Sequence, residues 1–132
     1  SQSAIKLAAE LGPSYGVGFL FTKHDPFFFL DIDHALNEGK WSALSTKLCA
    51  DFKGAAVEIS QSGTGLHIFG TGVCPEHGCK DQGNGLELYT ERRFAALTGN
   101  GAMGSASTDC SAALAATVPI HFPPKLNQTT DK

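Results

Sequence analysis

Two aspartates one residue apart, Asp31 and Asp33, close the run Phe27-Phe28-Phe29-Leu30-Asp31-Ile32-Asp33. The apolar residues predict a strand buried on both faces in the middle of a sheet. Side chains alternate along a strand, so Asp31 and Asp33 point to one side and Ile32 to the other. Two like charges at the end of a buried strand repel each other and lose hydration, which calls for a positive partner between them. A divalent cation held by both carboxylates answers that need. The competing reading is that the aspartates cap the following helix or face water at the strand end.

Three further stretches carry groups that could join such a site. Ala56-Val57-Glu58-Ile59-Ser60 and Leu66-His67-Ile68-Phe69-Gly70 flank Gln61-Ser62-Gly63-Thr64-Gly65 and predict a hairpin, with Leu66 and Ile68 on one face and His67 and Phe69 on the other. The turn combines glycines with Ser60, Ser62 and Thr64, a set of hydroxyls and backbone N–H groups suited to phosphate, although hairpins need glycine anyway. A lone strand histidine is more often structural than catalytic. Leu86-Glu87-Leu88-Tyr89 predicts a strand with Glu87 and Tyr89 on one face and the leucines on the other. In Cys74-Pro75-Glu76-His77-Gly78-Cys79, two thiols and an imidazole could supply three zinc ligands. The spacing is not that of a zinc knuckle, and a reduced loop or local disulfide is the simpler reading.

These residues need a scaffold, and the composition supplies one. The chain has 132 residues, 42% of them hydrophobic and 17% charged, which fits one soluble globular domain with a single core. We expect the core to span 1–122, with 123–132 as a polar tail. The net charge of -3 provides no global basic footprint, so contact with nucleic acid must be local. No stretch is long and apolar enough for a bilayer, and the start does not resemble a signal peptide, so a cytoplasmic protein without membrane contact is expected. Cys49 reads as a core thiol.

In chain order, Ala4, Ile5, Leu7, Ala8 and Leu11 predict a short helix ended by Gly12-Pro13. Val17 to Thr22 predicts a strand forming a hairpin with Phe27 to Asp33 across the turn Lys23 to Pro26. Trp41, Leu44, Leu48 and Phe52 share a helical face, with Ser42 and Ser45 as cap or solvent positions and Gly54 as the stop. Val73 to Gly85 reads as an irregular loop, Arg92 to Gly99 as a strand, and Asn100 to Ser107 as a mobile glycine-rich segment. Ala112 to Val118 predicts a helix started by Ser107, Thr108 or Asp109 and stopped near Pro119. The order predicts an α+β fold, an antiparallel or mixed sheet with flanking helices.

Three segments, F-F-F-L-D-I-D-H at Phe27 to His34, V-E-I-S-Q-S-G-T-G-L-H-I-F-G at Val57 to Gly70 and L-E-L-Y-T-E-R-R-F-A-A-L-T-G at Leu86 to Gly99, together resemble the archaeo-eukaryotic primase superfamily. The resemblance is closest to the primase-polymerase domains carried by phages and plasmids. Asp31 and Asp33 match its D-x-D element, Gly65-Leu66-His67 its small-x-His element, and Leu86-Glu87 its hydrophobic-acidic element.

The resemblance implies an RRM-like catalytic core and template-directed synthesis of DNA or primers from nucleoside triphosphates on single-stranded DNA. It assigns Asp31, Asp33 and Glu87 to Mg²⁺ or Mn²⁺ and His67 to the phosphates of the incoming nucleotide. Ser60, Ser62 and Thr64 would add hydrogen bonds, and Arg93 another phosphate contact. Paired metal ions about 3.5 to 4 Å apart suit this chemistry, and carboxylates are the hard oxygen ligands Mg²⁺ prefers. Relatives often carry a basic residue in the hairpin turn where this chain has Thr64. Starting at Ser1 without methionine, the chain reads as part of a longer protein, with a helicase domain or protein as an expected partner. Two other classes stay open. One is a replication-initiator nuclease, which needs a His-x-His pair absent here. The other is an inactive nucleotide- or nucleic-acid-binding RRM-like module, which needs exposed aromatics and a basic face.

Overall fold

The computed structural model describes residues 17–125. The helix expected over Ala4 to Leu11 and most of the polar tail lie outside the described residues. Within them, strands β1 (Val17–Phe21), β2 (Phe27–Ile32), β3 (Leu36–Asn37) and β4 (Lys40–Trp41) precede helix α1 (Ala43–Asp51). Then follow β5 (Ala56–Ile59), β6 (Leu66–Thr71), β7 (Lys80–Asp81), β8 (Leu86–Tyr89), β9 (Arg93–Leu97) and helix α2 (Ser111–His121). The expected α+β architecture is what forms. Among the described residues no helix is long and apolar enough to cross a membrane.

The main sheet has five strands in the order β5-β6-β2-β8-β7, antiparallel throughout, with β2 at its centre. The period-2 pattern of β2 sends Phe28, Leu30 and Ile32 to one face, where they meet Leu66, Ile68, Leu86 and Leu88 of the neighbouring strands. Leu48 and Phe52 of the α1 region and Leu114, Val118 and Phe122 of the α2 region close this core. On the other face Phe29 and Phe69 pack with Phe21 and Ala95. The apolar half of that second face stops at Phe29. The next residue of β2 on the same side is Asp31, so the polar site starts where the second cover ends.

That cover is formed by β1, and here the structure corrects the expected β1–β2 hairpin. β1 pairs instead with β9, from Val17 opposite Leu97 to Phe21 opposite Arg93, as a separate two-stranded ribbon. Both edges of β2 are taken by β6 and β8, leaving only its face open to β1. The alternating Phe19 and Phe21 suit that role, with Phe19 edge-on to Phe27 at 5.7 Å and Phe21 stacked on Phe29 at 5.6 Å between ring centroids. Asp25 fixes the crossover turn, accepting from the N–H of Thr22 at 2.8 Å and of Phe27 at 2.9 Å.

Other expected details shift for local reasons. Trp41 lies in β4 opposite Leu36 and is exposed, not on α1. The helix begins after Ser42, whose hydroxyl accepts from the N–H of Ser45 at 3.1 Å, so the cap decides the start over the apolar spacing. α2 starts at Ser111 after Cys110, not at Ser107, Thr108 or Asp109, and it runs through Pro119 to His121. The N–H that Pro119 lacks would have faced Ala115, an exposed residue whose carbonyl water can serve.

Asn100 to Ser107, expected to be mobile, is bonded along the outer edge of β5. Val57 and Met103 exchange both backbone hydrogen bonds, at 2.8 and 3.0 Å, and Ile59 N–H donates to Asn100 at 2.9 Å. The segment thus covers a sheet edge that would otherwise be open to pairing. Gly104 makes this possible. Its φ is +79° and a Cβ there would overlap the Ala55 carbonyl oxygen. Gly104→Ala is expected to lower stability by about 2 kcal/mol or more, against roughly 1 kcal/mol for Gly63→Ala, where only the positive φ matters. Urea titration of both variants checks this, and equal losses would remove the edge-packing argument.

Candidate functional site

The ladder register builds the site. Asp31 on β2 stands opposite His67 on β6 and opposite Glu87 on β8. His67 stands opposite Glu58 on β5, and Glu87 opposite Lys80 on β7. Residues directly opposite in an antiparallel ladder project to the same face, so Glu58, His67, Asp31, Glu87 and Lys80 form one polar row across the whole sheet. Asp33 follows two residues beyond Asp31, exposed, with its N–H donating to the Gly85 carbonyl at 2.8 Å. The sequence-predicted residues Asp31, His67 and Glu87 are therefore immediate cross-strand neighbours, and Asp33 lies next to them.

Side-chain contacts sharpen the row. His67 is buried, with Nδ1 2.8 Å from Glu58 Oε2 and Nε2 3.8 Å from Asp31 Oδ1. Burial raises the Asp31 carboxyl above its ordinary value, and the nearby charges of Asp33 and Glu87 add to this, outweighing the opposite pull of His67 and Arg93. Glu87 accepts from the Tyr89 hydroxyl at 2.7 Å and lies 3.5 Å from Arg93 Nη2. The Arg93 guanidinium sits 4.6 Å from the centre of the Tyr89 ring. Burial, together with the bond to Glu87, pushes the Tyr89 phenol up to about 12. Arg93 Nε is buried with no hydrogen-bond partner among the described residues.

Ser60, Ser62 and Thr64 form a chain of hydroxyls in the β5–β6 turn, with 3.0 Å between Ser60 and Ser62 and 3.0 Å between Ser62 and Thr64. The turn lies at the Asp33 end of β2, since Leu36 N–H donates to the Thr64 carbonyl at 2.9 Å and Ile32 pairs with Leu66. Among the described residues, no three His, Cys, Asp or Glu side chains stand as placed within reach of a single ion. At the acidic row the reason is visible, because Glu87 is turned toward Tyr89 and Arg93. At the cysteine loop, Cys74 packs against the helix-side core while Cys79 is exposed. His77 engages the Gly78 carbonyl at 2.6 Å and Thr90 at 3.3 Å, so the three potential zinc ligands do not converge. Burial pushes the Cys74 thiol up to about 11, away from the thiolate a metal needs.

Sequence reasoning missed Glu58. It is 5% exposed, and besides His67 it accepts from the N–H groups of Thr98 and Gly99 at 3.1 and 3.0 Å. Burial opposes its charge, but these hydrogen bonds, with that of His67 first, outweigh it and hold the carboxyl below its ordinary value. The usable signal was the alternation itself, since Glu58 and His67 are the polar inward positions of two strands joined by one hairpin. Lys80, exposed on the edge strand beside Glu87, was missed for the same reason.

No family model matches the chain. It is 40% identical over 93 residues, 64% of its length, to a protein named DNA primase-polymerase from Nitratiruptor phage NrS-1. The matched stretch is only 12% of that protein. The chain is thus similar to a segment of a phage DNA primase-polymerase, and the resemblance that its three motifs carry is borne out.

Proposed function

We propose that this chain forms the catalytic part of a primase-polymerase, a nucleotidyltransferase that extends a DNA or primer strand on a single-stranded template. The observation that carries the reading is the cross-strand row of His67, Asp31 and Glu87, with Asp33 beside it and a hydroxyl-rich turn at the same end of the sheet. The similarity to a phage DNA primase-polymerase supports it.

The donor set fits a divalent ion. Asp31, Asp33 and Glu87 are hard oxygen ligands, and their mutual repulsion at a partly buried position is what a cation relieves. Mg²⁺ or Mn²⁺ would be held by these three, once Glu87 turns from Tyr89. An ion held there would supply activation of the attacking hydroxyl and neutralisation of phosphate charge. The chain's own groups do the rest. His67 meets the triphosphate through Nε2, the ring atom facing the acids, donating to a phosphate oxygen when that nitrogen carries hydrogen. Arg93, with one buried N–H unpartnered, neutralises further phosphate charge. Ser60, Ser62 and Thr64 and the turn N–H groups orient the phosphate tail. Nucleoside triphosphates, single-stranded template and primer are the partners this reading requires, in the cytoplasm where a phage or plasmid replicates, with a helicase as a further partner.

The test is incorporation of labelled nucleotides on primed and unprimed single-stranded DNA with Mg²⁺ or Mn²⁺. Metal-dependent product is expected, falling at least about 100-fold in Asp33→Ala, in line with several kcal/mol of charge stabilisation. Product unchanged by Asp33→Ala would remove the metal assignment. Triphosphate binding without any product would favour the inactive nucleotide-binding module.

A further inference from the structure

Glu58 is the one fully buried carboxylate among the described residues, and none of the proposed chemistry uses it. It is also saturated. Oε1 accepts from Thr98 N–H at 3.1 Å and Gly99 N–H at 3.0 Å, and Oε2 lies 2.8 Å from His67 Nδ1. The Thr98 turn that supplies these donors is itself clasped to β5, through the Thr98 hydroxyl and the Ile59 carbonyl. An O–H on Oε1 would meet the Thr98 or Gly99 N–H. Although burial opposes the charge, the bonds from His67, Gly99 and Thr98 hold the carboxyl below its ordinary value, so it faces the ring as a carboxylate. Glu58 is therefore an acceptor only, and the imidazole nitrogen facing it must carry hydrogen.

The remaining freedom of the ring is removed by its walls. Phe29 meets His67 edge-on at 5.0 Å and Phe69 at 5.9 Å between centroids. These aromatic rings fix its tilt, but they cannot distinguish the ring from its flipped form, in which the nitrogens exchange places with carbons. Only a hydrogen-bond partner can do that.

We infer that Glu58 is the positioning residue of His67, locking the ring with Nδ1–H toward β5 so that Nε2 alone is presented to the acids and to a bound phosphate. The orientation stands on the geometry, and what Nε2 meets rests on the nucleotidyl-transfer reading. Through Thr98 and Gly99, the same carboxylate makes the turn after β9 a part of the site's framework, although that turn makes no hydrogen bond to Asp31, Asp33 or Glu87.

The experiment is imidazole nitrogen NMR on the full chain, joined to calorimetric titration with dATP and Mg²⁺. Wild-type His67 is expected to show a protonated Nδ1. Glu58→Gln keeps one acceptor oxygen but turns an amide N–H₂ toward the donors, so the ring should lose its single orientation. The dATP affinity should then fall by about tenfold, the usual scale for the loss of an orienting partner. A wild-type ring with a bare Nδ1 overturns the inference. So does a folded Glu58→Gln chain that keeps the wild-type ring signal and binds dATP within about twofold of wild type, while His67→Ala does not. Absence of dATP binding by the wild type would strike the nucleotide reading, while an Nδ1–H signal would still uphold the orientation set by Glu58.

Discussion

Asp31→Asn is expected to give a protein that does no nucleotide chemistry and yet melts higher than wild type. Asparagine keeps the shape at the centre of β2 but removes the charge that burial, Asp33 and Glu87 oppose. The sign follows from the direction of the shift. The folded-state carboxyl titrates above its ordinary value of 3.8, so folding favours its protonated form. The penalty therefore sets in as pH rises past the ordinary value and is complete above the raised one. At neutral pH without metal, Asp31→Asn should gain about 0.5–1 kcal/mol, or roughly 2–5 °C in Tm for a domain of this size. Below the ordinary value the two proteins should melt alike. Addition of Mg²⁺ should stabilise wild type by mass action and leave Asp31→Asn unmoved. Calorimetry with and without metal, beside the incorporation assay, checks each part; an asparagine chain that melts lower at neutral pH would show that the three acids are not in net repulsion.

Phe29→Ala is expected to have the largest effect on stability and to reach the site as well. The ring is 2% exposed and stacks on Phe69 at 5.1 Å and Phe21 at 5.6 Å, while its edge supports His67. Truncating a buried phenylalanine costs about 3–5 kcal/mol, a large share of the 5–15 kcal/mol that holds a typical domain together. Phe28→Ala is the control. Phe28 lies on the opposite face of β2, against Phe52 at 5.5 Å, and should destabilise the fold by a similar amount. Measured at a temperature where both variants remain folded, only Phe29→Ala should weaken triphosphate binding, because of the two rings Phe29 alone braces the histidine. Equal binding by the two variants would separate His67 from the aromatic layer beneath it.

The parts of this fold that were legible in the sequence are those fixed by alternation within one strand. The two-sided burial of β2, the β5–β6 hairpin with His67 opposite in face to Leu66 and Ile68, and the shared face of Glu87 and Tyr89 all follow from period two. Asp31 and Asp33 could be named because two like charges close a buried strand, whereas His67 and Glu87 were named through the motifs they share with the primase superfamily. What the sequence could not supply is which strand lies beside which. The placement of β1 against β9 depends on both edges of β2 being occupied from distant parts of the chain. Glu58 entered only as part of the run Ala56 to Ser60, and only the ladder that sets it against His67 gives it a role. The edge-covering run from Asn100 to Ser107 was read as mobile because glycine suggests freedom, whereas at Gly104 it permits close approach to Ala55.

The placement of β2 between β6 and β8 has a consequence for how the protein can fail. The acids and histidine of the row come from positions 31, 58, 67 and 87; Glu58 and His67 meet within the β5–β6 hairpin, but Asp31 and Glu87 join them only through ladders formed between distant segments. The acidic centre of the site therefore has no local precursor beyond that hairpin and no way to fray, since the strand bearing Asp31 is hydrogen-bonded on both sides. Its amides can exchange with solvent only when the whole sheet opens. Competence and foldedness thus share a single transition, and heat should inactivate these molecules one at a time, each fully able or fully unable to act, instead of degrading them gradually.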